Sequence, residues 1–120
     1  IMDIETFRDY CLSKKGTDES FPFDEKTLVF KVMGKMFALA GLEVSPSTAN
    51  LKCNPERAIE LREEYPEDVV SGYHMNKKHW NTVTIEGELS DELVIELVDH
   101  SYDLVVAKLK KADKEVLKNL

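Results

Sequence analysis

The stretch Leu28-Val29-Phe30-Lys31-Val32-Met33-Gly34-Lys35-Met36-Phe37-Ala38-Leu39-Ala40 decides the fold. Its first half alternates apolar residues on one predicted face, namely Leu28, Phe30 and Val32, as a strand with one buried side does. Gly34-Lys35 predicts a two-residue turn of type II′, because glycine stands at the first position of the turn. A connection this short joins antiparallel strands. We therefore expect a hairpin of two strands, Leu28–Met33 and Met36–Ala40.

Three predicted helices are marked by capping residues. Asp3 caps the first helix, which runs to about Lys14. Asn54-Pro55 begins the second, with Asn as the cap, and Tyr65-Pro66 ends it. Ser90 caps the third, whose first turn is acidic, as the helix dipole favours. The third helix should bury Val94, Leu97, Val98, Tyr102, Val105 and Leu109. Its last turn should hold Lys108, Lys110 and Lys111, and a short helical tail follows.

The remaining apolar runs predict further strands. They are Ser20–Phe23, Thr48–Cys53, Val69–Met75 and Trp80–Glu86. The element order is then α-β-β-β-β-α-β-β-α. With short connections between the early strands, this order predicts the α+β class: an antiparallel sheet with helices packed on one face. The 120 residues are enough for one domain and not for two, so we expect a single domain over residues 1–120.

Composition narrows the class of protein. Hydrophobic residues make up 42% of the chain and charged residues 32%, which is typical of a globular protein. Cys11 and Cys53 are far apart in sequence and predict two free, partly buried thiols in a reducing compartment. No apolar run approaches the roughly 18 residues that a membrane span needs. We expect a cytoplasmic protein without a membrane role, and the oligomeric state stays open.

Charge is distributed unevenly along the chain, whose net charge is −7. Residues 86–103 contain acidic residues and neither Lys nor Arg, whereas residues 26–53, 73–85 and 104–120 each carry a net positive charge. Most of the negative charge falls in predicted helices. The pattern predicts an acidic helical side and a mildly basic sheet side, while the net charge argues against bulk attraction to nucleic acid.

Several motifs together resemble the MmcQ/YjbR family. They are Phe21-Pro22-Phe23, Leu28-Val29-Phe30-Lys31-Val32, Gly34-Lys35-Met36-Phe37-Ala38-Leu39, Leu51-Lys52-Cys53 with Pro55, Leu61-Arg62 with Tyr65-Pro66, Gly72–Val83 and Ser101-Tyr102-Asp103-Leu104-Val105. The resemblance implies a small bacterial cytoplasmic protein with a CyaY-like (frataxin-like) α+β fold. It also implies a DNA-binding protein with a double-wing motif, a description inferred largely from shape, and it brings no catalytic residues. Relatives often place a Pro where this chain has Leu109-Lys110-Lys111, so the resemblance does not fix the end of the long helix.

The candidate DNA contacts come from the predicted sheet and from the segment Gly72–Val83, which holds the only Trp and two of the three His residues. They are Lys31, Lys35, Lys52, His74, Asn76, Lys77, Lys78, His79 and Trp80. Each has an alternative role. Lysines at strand edges and loop tips also prevent aggregation and keep loops solvated, and Asn and His often serve turns. Trp80 could stack on a base or cover the sheet.

Enzyme chemistry finds little support in the sequence. There is no Gly-rich phosphate loop, nucleophile elbow or HExxH motif, so we expect no enzyme and no cofactor. His74 and His79 lack an evident third ligand, so no metal site is expected. The acids Asp3, Glu5, Asp9, Asp18 and Glu19 could form an iron-binding ridge or a solvated helix face. Two hypotheses remain: a module whose basic sheet face binds DNA phosphates, and a protein–protein or small-ligand adaptor without a nucleic-acid role.

Overall fold

The structure is a computed structural model that describes residues 2–72 and 75–120. The described helices are α1 (Ile4–Ser13), α2 (Pro55–Glu64), α3 (Asp91–Ala107) and α4 (Lys111–Lys118). The described strands are β1 (Thr17–Ser20), β2 (Thr27–Val32), β3 (Lys35–Gly41), β4 (Thr48–Lys52), β5 (Val69–Ser71) and β6 (Trp80–Thr84). Among the described residues, no helix has the length and apolar character needed to cross a membrane.

The strands form one sheet in the order β1-β2-β3-β4-β6-β5, and every neighbouring pair is antiparallel. One face of the sheet, here called the inner face, packs against the helices. The core on this side includes Phe7 of α1, Phe30 and Phe37 of the hairpin, Leu51 of β4 and Val98 of α3, each at most 2% exposed. Burying a side chain of this size contributes roughly 1.5–3 kcal/mol. The predicted α+β class with helices on one face is confirmed.

The hairpin turn differs from the prediction by one residue. Val32 pairs with Lys35, so the two turn residues are Met33 and Gly34. Both have positive φ, 49° at Met33 and 82° at Gly34, which is the type I′ geometry. The predicted type II′ turn at Gly34-Lys35 was wrong, because Lys35 already belongs to the strand ladder.

Two strand predictions were displaced. The first strand is Thr17–Ser20 rather than Ser20–Phe23. Residues 21–26 form an exposed loop, which Asp24 holds by accepting hydrogen bonds from the backbone N–H groups of Lys26 (2.8 Å) and Thr27 (2.7 Å). The fifth strand ends at Ser71, and part of its predicted extension, residues 73–74, lies outside the described residues.

The helix caps and the buried stripe of α3 agree with the sequence. Asp3 accepts a hydrogen bond from the Thr6 backbone at 2.8 Å and Ser90 one from Leu93 at 3.1 Å. All six residues predicted for the stripe of α3 are buried. The end of the helix was predicted wrongly, because α3 ends at Ala107 and α4 begins at Lys111. The lysines therefore flank a break between two helices, which lets Leu109 turn into the core.

Candidate nucleic-acid interface

Three chain connections lie at the same end of the sheet. The first is the Met33-Gly34 turn between β2 and β3. The second is the end of β4, where Lys52 pairs with Trp80 at the start of β6. The third is the β5–β6 connection, closed by a 2.7 Å hydrogen bond from the Gly72 N–H to the Trp80 carbonyl. We call this region the lysine end.

The lysines that the sequence predicted as DNA contacts gather at the lysine end. Lys31 shares the outer face of the sheet with Met36, its partner across β2–β3. Lys52, at the end of β4, pairs with Trp80 on the same outer face. Lys35 begins β3 directly after the turn. Lys77 and Lys78 are exposed in the β5–β6 connection.

The polar residues of the β5–β6 connection shape that turn. The Asn76 side chain accepts a hydrogen bond from the Lys78 backbone at 3.0 Å, and its carbonyl accepts one from Trp80 at 2.9 Å. The His79 carbonyl accepts a bond of 2.7 Å from the Cys53 N–H, which ties the connection to the end of β4. These bonds give Asn76 a turn role, one of the alternatives expected for it. His74 lies outside the described residues.

The ends of the helices add lysines that sequence reasoning missed. α1 and α3 both end at the lysine end, where the helix dipole favours positive charge. α4 packs there through Leu117, which lies beside Gly16, and Lys15 Nζ donates a 3.1 Å hydrogen bond to the Lys118 carbonyl. As a result every lysine of the chain except Lys26 belongs to this end: Lys14, Lys15, Lys31, Lys35, Lys52, Lys77, Lys78, Lys108, Lys110, Lys111, Lys114 and Lys118. Their clustering within residues 104–120 was the sequence signal.

The charge separation therefore runs along the strands. The sequence had suggested a separation between the helical layer and the sheet, and that expectation was wrong. The acidic first turn of α3 lies at the opposite end of that helix from Lys108. Burial, and then the positive charge of Lys108, lower the pKa of Lys52, which indicates that cationic groups crowd together here. Several acids offset part of this charge: Asp99 lies 2.8 Å from Lys14 Nζ, and Asp18 is paired with Lys31 across β1–β2. Further acids on α3 and α4 stand among these lysines, namely Asp103, Asp113 and Glu115.

A cleft of about 510 Å³ opens between α1, α3 and α4 on the helix side of the lysine end. Lys14, Lys15, Lys114 and Lys118 line it together with Tyr10 and Tyr102. Lys14 Nζ also lies 4.9 Å from the centre of the Tyr102 ring. Within the described ranges, Lys114 and Lys118 form no side-chain ion pair, so their charges are available to an anion.

Trp80 lies on the outer face but is only 8% exposed. It packs with Val29 and Leu39, and with the partly buried Met36 and Met75. The indole therefore covers the sheet, which was the second of its two expected roles, and offers little surface for base stacking. The next residue in the strand, Asn81, is buried on the inner face and accepts a 2.7 Å hydrogen bond from Arg62.

Two of the acids that could have formed an iron ridge have local partners. Asp3 caps α1, and Glu19 receives two hydrogen bonds from Arg8, at 2.7 and 2.5 Å, which lower the pKa of its carboxyl. In the part of the chain that the structure describes, no group of three or more His, Cys, Asp or Glu side chains is placed to hold a metal ion. Cys11 and Cys53 are free and buried, as predicted, and burial raises the pKa of both thiols.

Together, the fold and the site define a small α+β domain in which the lysines gather at one end of a six-stranded antiparallel sheet. The chain matches the family model described as YjbR over residues 12–104, and it belongs to the YjbR family.

Individual relatives support this membership. The chain is 34% identical over 119 residues to the uncharacterized protein YjbR of Escherichia coli strain K12, covering 99% of this chain and 100% of the relative. It is 35% identical over 111 residues to the uncharacterized protein YbdF of Escherichia coli O157:H7, covering 92% of this chain and 90% of the relative. The crystal structure of Deinococcus radiodurans protein DR2400, described as a DUF419 domain, superposes with a TM-score of 0.89 and 42% identity, covering 96% of this chain and 87% of that one.

A second structural neighbour is more distant. The crystal structure of a protein from Pseudomonas syringae matches with a TM-score of 0.72 and 27% identity, covering 86% of this chain and 98% of that one. The names of these relatives assign no ligand or reaction.

Proposed function

We propose that this protein binds DNA through the lysine end, by contacts to phosphates and without base readout. The observation that carries the proposal is the collection of every lysine but Lys26 at one end of a molecule whose net charge is −7. A scattered set of lysines would leave the acidic surface to repel DNA. A cluster creates a local positive field that a polyanion can approach.

The geometry suits a phosphate backbone. Duplex DNA carries one negative charge per roughly 1.7 Å of its axis. The molecule measures 40 × 31 × 26 Å, so even its shortest dimension matches several successive phosphates. The β2–β3 turn and the β5–β6 connection both project from this end, with β4 between them. Lys35 stands on the first and Lys77 and Lys78 on the second.

The mode of binding should be weak and independent of sequence. Trp80 is covered, so base stacking contributes little, and lysine acts as a point charge and not as a bidentate reader of base edges. Two to five phosphate contacts give a slope of about −2 to −4 in a plot of log K against log salt. The dissociation constant should lie in the nonspecific range, roughly 10⁻⁴ to 10⁻⁶ M at physiological salt.

The test is fluorescence anisotropy of labelled duplex and single-stranded oligonucleotides at several salt concentrations. Lys77→Ala should reduce the salt slope by about 0.9, and the double change of Lys77 and Lys78 to Ala by up to about two. Lys26→Ala is the matched control, because it changes the net charge equally at the other end of the sheet. Lys26 pairs with Glu43 at 3.2 Å, and its removal should leave the slope unchanged.

Two results would overturn the proposal. One is the absence of binding to either form of DNA at low salt. The other is an equal effect of Lys26→Ala and Lys77→Ala, which would mean that net charge and not the lysine end governs binding. Either result would favour the other hypothesis, a protein–protein or small-ligand adaptor without a nucleic-acid role.

A further inference from the structure

A half-enclosed cavity of about 520 Å³ lies on the outer face of the sheet, towards the end opposite the lysine end. Its floor follows one row of paired residues across three strands, Leu39 on β3, Asn50 on β4 and Thr82 on β6. Phe23 and Val44, from the loops before β2 and after β3, form part of its walls. Its size falls within the roughly 300–1,000 Å³ range of small-molecule sites.

The rim of the cavity is unusually apolar for a surface. Phe23 and Val44, which line the cavity, are 65% and 48% exposed, and Phe21 and Leu42 in the same two loops are 49% and 45% exposed. The two loops that carry them are tied together by the 2.8 Å hydrogen bond from the Leu42 N–H to the Lys26 carbonyl. Exposed apolar groups gathered beside a concavity mark a binding site more often than scattered ones do. This rim is therefore positioned to cover an apolar body that enters the cavity.

The floor supplies hydrogen-bonding groups. Thr82 donates its hydroxyl hydrogen to the Asn50 side-chain oxygen at 2.6 Å. This bond fixes the orientation of the Asn50 amide, since the oxygen must face Thr82. The two amide N–H groups of Asn50 are then free to donate to a ligand, because they have no hydrogen-bond partner among the described residues. An apolar wall above a few oriented polar groups is the usual design of a small-molecule site.

The charge of the lining selects among ligands. Of the described residues that line the cavity, Asp24 is acidic and none is basic. Hydrogen bonds from the backbone of Lys26 and then of Thr27 lower the pKa of the Asp24 carboxyl, which keeps it ionised at neutral pH. The nearby Lys26 ammonium group is turned to Glu43, 3.2 Å away. An anionic ligand would meet an unpaired carboxylate, whereas a cationic group would meet a partner.

We propose that this cavity binds a small amphiphilic molecule with a ring-sized apolar body and a cationic or neutral hydrogen-bonding end. The apolar body would pack between Phe23, Val44 and Leu39, and the polar end would meet Asn50 or Asp24. The cavity and the lysine end differ in ligand chemistry, so this inference is independent of DNA binding.

The experiment uses two probes with the same ring and opposite charge, 1-naphthylmethylamine and 1-naphthaleneacetate. Each is titrated into the full chain labelled with ¹⁵N and followed by amide chemical shifts. We expect saturable shifts concentrated on residues 41, 48, 50 and 82. The amine should bind at least about fivefold more tightly than the acetate, the ratio for one unit charge pair at about 4 Å in water. Asp24→Asn, which keeps the side-chain oxygen that accepts the backbone bonds, should reduce this preference.

Matched variants distinguish binding in the cavity from nonspecific binding to exposed apolar side chains. Phe23→Ser and Val44→Ser should each weaken binding of the amine about fivefold, the ratio for a loss of roughly 40 Å² of apolar contact. Both residues are exposed, so the fold should tolerate the changes. Ile59→Ser is the control, since Ile59 is 50% exposed on α2, and it should leave binding unchanged.

Several outcomes would overturn the proposal. They are a lack of saturation, equal binding of the two probes, shifts centred on the lysine end, or an Ile59→Ser effect as large as that of Val44→Ser. Analytical sedimentation of the unliganded chain tests one further outcome. If the unliganded chain forms a dimer that Phe23→Ser dissociates, a second copy covers the rim and the cavity is not a small-molecule site.

Discussion

Replacing Ser101 with Ala should destabilise the protein far more than the loss of one hydroxyl on a helix would suggest. Ser101 is fully buried on α3, and its hydroxyl donates a 2.5 Å hydrogen bond to the Phe37 carbonyl. The same oxygen accepts a 2.9 Å hydrogen bond from the Lys52 N–H. The serine thus joins β3 to β4 at the position where their direct pairing stops after Ala38 and Leu51.

The magnitude follows from the two groups that the substitution leaves without a partner. A buried donor or acceptor without a partner costs about 1–3 kcal/mol, and Ser101→Ala orphans one of each. A water molecule that enters beside Lys52 can recover part of this free energy, because the hydrogen bond to the Lys52 N–H is only partly buried. We therefore expect a loss of about 2–4 kcal/mol from an unfolding free energy of roughly 5–15 kcal/mol.

Urea unfolding followed by circular dichroism measures the change. With a slope of about 2 kcal/mol/M, the middle of the usual range for urea, the midpoint should fall by roughly 1–2 M. Ser90→Ala is the matched control, since it removes the same atom from the same helix. There the hydroxyl caps one N–H, and the expected cost is about 1 kcal/mol. Amide exchange adds a local readout: the Lys52 N–H should lose protection in Ser101→Ala beyond the global change and keep it in Ser90→Ala.

The reasoning is refuted if Ser101→Ala costs no more than Ser90→Ala, or if the Lys52 amide keeps its protection. Either result would mean that β3 and β4 close the gap by direct pairing once the hydroxyl is gone. The two hydrogen bonds of the Ser101 hydroxyl would then follow from the strand geometry and would not stabilise it.

Two further predictions concern the turn and a half-buried imidazole. Gly34→Ala should cost about 1–2 kcal/mol in urea unfolding, because φ is 82° there and nothing lies within 4 Å of the added Cβ, so the whole penalty is in the backbone. His100 Nε2 accepts a 3.1 Å hydrogen bond from the Asn54 N–H, and burial lowers its pKa from 6.5. The unfolded chain then binds more protons below about pH 6.5, so stability should fall as the pH drops from there through the folded pKa. His100→Gln should remove that part of the pH dependence, and an unchanged pH profile in this variant would contradict the assignment.

The hairpin shows what alternation in a sequence can predict. The inward positions of β2 follow a period of two, so their burial was predicted correctly. β3 breaks this period: Phe30 pairs with Ala38 and Lys31 with Met36, which leaves Phe37 as an extra residue that also points inward. A bulge of this kind depends on the partner strand and on what fills the space, so it is invisible in one strand's pattern. The one-residue error in the turn has the same origin, since Met33 adopts the left-handed conformation only because the register demands it.

The candidate sites were less predictable than the fold. The sequence singled out lysines on strands and in the β5–β6 connection, because charge blocks are visible in one dimension. It missed Lys114 and Lys118, because their position depends on how α4 packs against Gly16. It also missed the outer cavity, whose walls come from Phe23 and Val44 and whose floor reaches Thr82. No local pattern joins residues so far apart in sequence.

Strands β3, β4 and β6 connect the two proposed sites, and β6 shows how close they are. Trp80 of β6 pairs with Lys52 at the lysine end, and Thr82, two residues later, lines the cavity, so about 7 Å of backbone separates them. Between them the buried cluster of Val29, Leu39 and Trp80 closes the outer face.

The dependence of binding on salt concentration distinguishes the two proposed activities on the same molecule. Phosphate contacts release counterions and weaken steeply as salt rises, whereas apolar contact in the cavity does not depend on counterion release. If a naphthyl probe in the cavity changes DNA affinity at constant salt, the effect passes through the strands that reach both sites, through this cluster, or through Met75, which lines the cavity from the β5–β6 connection. If it leaves DNA affinity unchanged, the two sites act independently and each can be assigned by its own variants.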